Sequence, residues 1–287
     1  MSTRFDALPV ALKARANLTM LCQASGSHVP SLLVTAEGVP DGAAPTLIWL
    51  HGRTAWKELD PGRYLRLMRS GINVCAVDLP GHGERLDDSL QGFDAIAAVV
   101  NQAIDEVDPI VTELVELGFA DPQRMALGGM SAGGMVTLGR LCWDHPFRSA
   151  AVESTTGDWG HRYERGFFGG HDEVVASRSP IDHLSTFREI PILALHSITD
   201  QRVAFAPQER FLRRLAQQYG DQQQIQCAVW DSTGAPMEHD GFGRESAEAK
   251  DLHRTFLEAT LTSARLPDGA ALHDSLESVS SRARLLW

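Results

Sequence analysis

Gly129-Met130-Ser131-Ala132-Gly133 decides how this chain is read. The stretch has the form G-x-S-x-G, follows a short apolar run, Met125-Ala126-Leu127, and precedes a segment, Ala132 to Asp144, that can be helical. Strand, sharp turn, helix is the context in which the motif carries chemistry, because a serine at such a turn projects its hydroxyl out of a strained backbone. The flanking glycines remove the Cβ atoms that would collide where strand and helix approach. A Gly-rich turn with an incidental serine has the same letters, so the rest of the chain has to decide.

Around this stretch, apolar runs alternate with helical segments. Leu18–Cys22 and Val29–Thr35 read as an antiparallel opening pair, after a short helix within residues 5–16. Thr46–Leu50 is a continuous apolar run, as expected of a strand buried on both faces. Residues 57–70 read as helix, Ile72–Val77 as strand, and Asp94–Leu117 as a longer helix that Pro109 is expected to kink or divide. Ala150–Val152, Pro191–Leu195 and Gln224–Trp230 are further strands, with helices at Phe205–Tyr219 and Ser246–Leu261. This alternation predicts an α/β fold with a mostly parallel sheet of about eight strands and helices on both faces. Residues 157–188, rich in Gly, Arg, His and aromatics, interrupt the rhythm and read as a small helical cap inserted into a single domain spanning 1–287. A helical tail is expected over 266–287, packed on its own chain or on a second subunit, so a homodimer is one candidate assembly.

Composition narrows the class. The 287 residues are 43% hydrophobic and 22% charged, an ordinary globular balance with ample material for one large core. A formal net charge of -11 argues against nucleic acid or an anionic membrane surface as partner, since both attract basic patches. Cys22, Cys75, Cys142 and Cys227 are widely spaced and form no C-x-x-C pair, which points to neither a zinc site nor a disulfide framework. No stretch reads as a membrane span, and residues 1–16 lack the apolar core of a signal peptide, so a cytoplasmic location is expected.

In an open parallel sheet the active site forms at the C-terminal ends of the strands. His51-Gly52-Arg53-Thr54 follows one strand, Asp78-Leu79-Pro80-Gly81-His82-Gly83 the next, and Ser131 the third. His196-Ser197-Ile198-Thr199-Asp200 ends a later strand, and the last is followed by a loop carrying Glu238-His239-Asp240-Gly241. A serine, an acid and a histidine thus fall at strand ends in the chain order Ser…Asp…His. With these motifs the chain resembles the α/β-hydrolase-fold serine esterases of the prolyl oligopeptidase and dienelactone hydrolase branches. The matching residues are His51-Gly52, Asp78-x-Pro80-Gly81-His82-Gly83, Asp121-Pro122-x-Arg124, Gly129-x-Ser131-x-Gly133-Gly134 and Asp200-x-x-Val203, and they cover roughly residues 18–262.

The resemblance implies acyl transfer, and the roles follow from what that needs. Ser131 would be the nucleophile, His239 its base and Asp200 the acid that orients the base. The oxyanion needs two donors: the backbone N–H of Ala132, which opens the helix, and a second from the loop His51-Gly52-Arg53-Thr54, where the resemblance points to Arg53. The chain departs from the relatives' H-G-x-x-D by having Ser197 after the histidine, which leaves Glu153, Asp158 and Asp231 as rival acids; His253 is the rival base. His51 and His82 look ligand-like but read more simply as holding their loops through backbone hydrogen bonds, so no metal and no cofactor is expected. Trp56, Trp159, Phe167 and Phe168 are candidates for an apolar acyl pocket or for packing between cap and core. The expected activity is hydrolysis of a small-molecule carboxylic ester through an acyl-enzyme. Ester is preferred to amide because no propeller or other gating domain precedes the catalytic unit. The alternatives are a serine peptidase or amidase acting on short peptides, and a ligand-binding α/β-hydrolase-like protein without turnover.

Overall fold

In a computed structural model, residues 3–23, 26–39, 43–160 and 172–287 are described. Nine strands form one sheet: β1 (Ala16–Leu21), β2 (Val29–Val34), β3 (Ala44–Leu50), β4 (Asn73–Val77), β5 (Ala120–Met130), β6 (Ser149–Glu153), β7 (Ile192–Ser197), β8 (Ile225–Trp230) and β9 (Arg284–Leu285). Their order across the sheet is β1-β2-β4-β3-β5-β6-β7-β8-β9. The run β4-β3-β5-β6-β7-β8 is parallel, and β1, β2 and β9 supply antiparallel pairings at the two ends.

Every residue of β3, β4, β6, β7 and β8 is buried, as their mostly apolar sequences lead one to expect of strands covered on both faces. One face is covered by α4 (Ile96–Glu116), α5 (Ala132–Arg140) and α7 (Phe205–Ala216), through side chains such as Val107, Leu138 and Phe211. The other is covered by α2 (Val10–Lys13), α3 (Pro61–Arg69), α8 (Ser246–Leu257) and α9 (Gly269–Glu277), through Leu12, Leu67, Phe256 and Leu272. A short α1 (Thr3–Asp6) precedes them, and α6 (Asp172–Arg178) follows β6.

Two expectations change. Pro109 lies inside α4 without dividing it; only the bond to the Asp105 carbonyl is forfeited, and Asp105 is exposed to solvent. The tail is helical over Gly269–Glu277 only, and then extends to pair as β9 with Ala228 and Val229 of β8, which adds the ninth strand. Both pieces pack on their own chain, with Leu272 and Leu276 in the core. In the region expected to be a cap, the described residues hold α6, whose Arg178 donates to Asp105 Oδ1 of α4 at 2.8 Å, and two single turns of 3₁₀-helix at Pro180–Asp182 and Leu184–Thr186.

Candidate active site

The sheet's register brings Leu50 beside Gly129 and Met130 beside Glu153, so the ends of β3, β5 and β6 lie in one row. Ser131 follows β5 with φ 53° and ψ -116°, a conformation costly for a residue with a side chain. The surroundings impose it. The Ser131 amide donates to the Glu153 carbonyl at 2.8 Å, and Thr155 Oγ1 donates to the Ser131 carbonyl at 2.8 Å. A Cβ on Gly129 would run into the Gly133 backbone, and one on Gly133 into the Leu50 and His51 carbonyls. The helix can therefore start directly against β3 only with glycine at both positions.

His239 reaches this serine from the loop after β8. Its Nε2 is 2.9 Å from Ser131 Oγ, and its Nδ1 is 2.8 Å from Asp200 Oδ2. A carboxylate only accepts, so Nδ1 carries the proton and Nε2 presents its lone pair to the hydroxyl. Asp200 is fixed in turn, since its Oδ1 accepts from the amides of Arg202 and Val203, each at 2.8 Å. The loop bearing His239 has two successive non-glycine residues at positive φ, Met237 at 54° and Glu238 at 52°. Glu238 holds it there: its carboxylate accepts from Ser197 Oγ at 3.0 Å, Ser232 Oγ at 2.8 Å, the Thr233 amide at 2.6 Å and the Gly234 amide at 2.8 Å. Desolvation pushes the Glu238 carboxyl up, but those donors together outweigh it and hold the group down at about 2.

The loop after β3 packs on the elbow, with the Cα of Gly52 so placed that an added Cβ would stand 3.4 Å from Ser131 Cβ. His51 holds this loop to the next: its Nδ1 donates to the Gly52 carbonyl at 2.6 Å and its Nε2 accepts from the Leu79 amide at 3.0 Å. Burial pushes the His51 imidazole down to about 4, so it serves as a neutral strut. His82 Nδ1 similarly meets the Pro80 carbonyl at 2.8 Å. Asp78 completes the frame by accepting from the Lys57 amide at 2.8 Å, Lys57 Nζ at 2.9 Å and the Glu84 amide at 2.9 Å. Among the described residues no cluster of His, Cys, Asp or Glu is grouped to hold a metal ion.

Ser131 and His239 open onto a cavity of about 690 Å³, which Arg53, Ala132 and Trp56 also line. The Ala132 amide is the first of α5, so it has no partner within the helix and forms part of the positive end of the helix dipole. The Arg53 guanidinium turns along the rim, donating to the Gln91 carbonyl and lying 5.3 Å from the centre of the Phe93 ring. Arg202 at the same rim stands 3.5 Å from Asp240.

The rival residues are engaged elsewhere. Asp158 pairs with Arg210, and Asp231 with Arg284 at 3.3 Å. His253 accepts from Arg63 through Nδ1, and the same arginine pairs with Glu153 at 2.8 Å. Burial pushes the Glu153 carboxyl up, with Arg63 acting in the opposite direction. Trp159 is not a pocket residue: it is fully buried in the core with α4 and α5, its indole donating to the Thr156 carbonyl at 3.1 Å and its ring filling the space beside Gly139. Phe167 and Phe168 lie outside the described residues. The Glu238 clamp and the Arg63–Glu153–His253 cluster carry no sequence motif; Glu153 and His253 had a signal only as rival acid and rival base.

Residues 65–254 match the prolyl oligopeptidase family, 190 of the 287 residues. The chain belongs to that family. Among curated relatives of this family member, "Putative esterase YitV" of Bacillus subtilis (strain 168) is 23% identical over 230 residues, covering 68% of this chain and 84% of its own. "Esterase YjfP" of Escherichia coli (strain K12) is 23% identical over 196 residues, covering 62% and 77%. Solved structures with the same α/β-hydrolase fold include a puromycin-hydrolyzing peptidase of Mycobacterium tuberculosis, with TM-score 0.69, 21% identity and 88% of this chain covered. The acylaminoacyl peptidase of Pyrococcus horikoshii superposes with TM-score 0.71, 16% identity and 91% coverage. This chain spans only 41% and 44% of those two peptidases. Among the described residues no helix is long and apolar enough to cross a membrane.

Proposed function

We propose that this protein is a serine hydrolase that cleaves small-molecule carboxylic esters through an acyl-enzyme, with Ser131, His239 and Asp200 as its catalytic residues. The observation that carries the reading is the continuous hydrogen-bonded line from Ser131 Oγ through His239 to Asp200, open to a cavity at its serine end. The esterase names of two relatives that this chain matches over most of their length favour an ester substrate.

Ser131 Oγ attacks the ester carbonyl carbon while its proton passes to the His239 Nε2 lone pair. The imidazolium that forms is stabilised by Asp200, which also keeps the proton on Nδ1. The carbonyl oxygen becomes an oxyanion, which takes hydrogen bonds from the Ala132 amide and the Arg53 amide. Each such donor contributes about 3–4 kcal/mol to the transition state. Collapse breaks the bond to the alcohol, which leaves with the proton from Nε2. Water then enters, gives a proton to Nε2 and its oxygen to the acyl carbon, and the acid departs as Ser131 recovers its hydrogen.

Turnover of p-nitrophenyl acetate and butyrate by the wild type and by Ser131→Ala tests this directly. Equal rates would sink the nucleophile assignment and favour a binding protein. A fluorophosphonate should label Ser131, as mapped by mass spectrometry. Comparing p-nitrophenyl esters with p-nitroanilides of the same acyl group separates esterase from amidase, and faster anilide cleavage would reverse the proposed substrate class.

A further inference from the structure

The cavity beside Ser131 holds a charge that the steps above do not use. The carboxylates lining it are all paired, Asp60 and Glu153 with Arg63 at 2.8 Å and Asp240 with Arg202 at 3.5 Å. Arg53 lines the same cavity, and among the described residues no carboxylate lies within ion-pair distance of its half-buried guanidinium. Nη2 donates to the Gln91 carbonyl, and the group lies 5.3 Å from the centre of the Phe93 ring. Nε is buried without an acceptor; Nη1 has no acceptor among the described residues either, but it is not buried. Arg202 has 43% of its side chain exposed, and its guanidinium makes no hydrogen bond among the described residues.

A half-buried cation without a counter-ion is costly, and a second cation beside it adds to the cost. Burial pushes the Arg53 guanidinium down and the Arg202 charge pushes it the same way, while Asp94 acts in the opposite direction from beyond pairing distance. The excess is local. Arg53, Arg63, Arg202 and Lys250 line the cavity against Asp60, Glu153 and Asp240, whereas the chain as a whole has a net charge of -11. An anion supplies what is missing: a guanidinium presents its N–H groups in one plane, which a carboxylate matches, and a neutral group leaves the charge unbalanced. The backbone sets the place. In the proposed reaction the Arg53 amide holds the oxyanion, so the side chain of the same residue branches off beside the ester carbonyl.

We infer that Arg53 and Arg202 form an anion-binding subsite, which selects esters carrying a carboxylate on the acyl or the alcohol portion. This rests on the serine hydrolase reading. The test compares two ester pairs, each a carboxylate and its neutral carboxamide, with the uncatalysed rate subtracted. The p-nitrophenyl monoesters of glutaric and glutaramic acid place the group on the acyl side. The butyrates of 4-hydroxybenzoic acid and 4-hydroxybenzamide place it on the alcohol side. For the wild type, kcat/KM should favour the carboxylate by about tenfold or more in one pair, the worth of a charge-assisted hydrogen bond. That pair assigns the subsite to the acyl or the alcohol portion. In Arg53→Gln and in Arg202→Gln the ratio should fall towards one, while Arg53→Lys, which keeps the charge, should retain most of it. Each ratio is taken within one variant, so a general loss of activity cancels. A wild-type ratio near or below one in both pairs, as for guanidiniums that are merely solvated, would overturn the inference; so would a preference that either glutamine variant leaves intact. Should Arg53→Gln fail to fold, the Arg202→Gln ratio decides. Fluorophosphonate labelling of the wild type at Ser131 separates the two ideas: without labelling the hydrolase reading fails, and with labelling but no carboxylate preference only this inference fails.

Discussion

Two buried histidines, His239 and His253, hold opposite tautomers. His239 has an acceptor, Asp200, on Nδ1, which forces its lone pair to Nε2, beside Ser131 Oγ at 2.9 Å. His253 has a donor, Arg63, on Nδ1, which forces its proton to Nε2, where it is buried without a hydrogen-bond partner. The sequence offers both as bases. What separates them is the partner on the far ring nitrogen: a carboxylate there makes an imidazole a base toward whatever it faces, and a guanidinium there makes it a prop. The same contrast extends to the acids, since Asp200 has two amides and a histidine around it while Glu153 is tied to an arginine.

The largest expected effects test that distinction. Ser131→Ala and His239→Ala should each lower ester turnover by about 10⁴–10⁶ and abolish fluorophosphonate labelling. His253→Ala, measured in the same assay, should still label; the reverse pattern would reassign the base. Asp200→Asn should lower kcat by about 10⁴ with the fold intact, because the amide can present a donor to Nδ1 and invert the tautomer. A drop below tenfold would remove Asp200 from its role.

Arg63→Ala should give the complementary phenotype, lost stability more than lost labelling. It leaves Glu153 buried without its counter-ion, which by analogy with other broken buried pairs costs about 3–5 kcal/mol in urea unfolding. A cost below about 1 kcal/mol would show that the cluster on the His253 side is not a stability element.

The smallest effect concerns the clamp that aims His239. The Glu238 carboxyl is held at about 2 in the folded protein against an ordinary 4.5, so the folded state binds the proton less readily than the unfolded chain. Its contribution to stability is present above pH 4.5 and is lost as pH falls towards 2. Over that window Glu238→Gln should show a shallower acid slope than the wild type in chemical unfolding. Parallel slopes would mean that the carboxylate's charge does not hold the loop.

Much of this was legible in the letters. The buried strands announce themselves as mostly apolar runs, and Gly129, Gly133 and the strand-end placement of Asp200 and His239 marked the elbow and its partners. For Trp159 the letters leave pocket and packing open, because an aromatic in a Gly- and Arg-rich stretch has no period to assign it to a face; Gly139 on α5 is what makes room for it in the core. Arg63 was invisible because it sits in an amphipathic helix where an arginine ordinarily points to water. Only the sheet register, which sets Glu153 at the end of β6, explains why it turns inward. The strand Arg284–Leu285 was unreadable for another reason: two residues carry no periodicity, and their pairing partner lies more than fifty positions earlier.

That short strand has a practical consequence for anyone handling the protein. Leu285 and Arg284 lie along β8, the Leu286 amide bonds the Cys227 carbonyl at 2.8 Å, and Trp287 sits 4.4 Å from the Arg213 guanidinium. Trimming the chain at the end of α9 would strip the rung that covers this edge. The bare backbone of β8 would then be free to recruit a strand from another molecule.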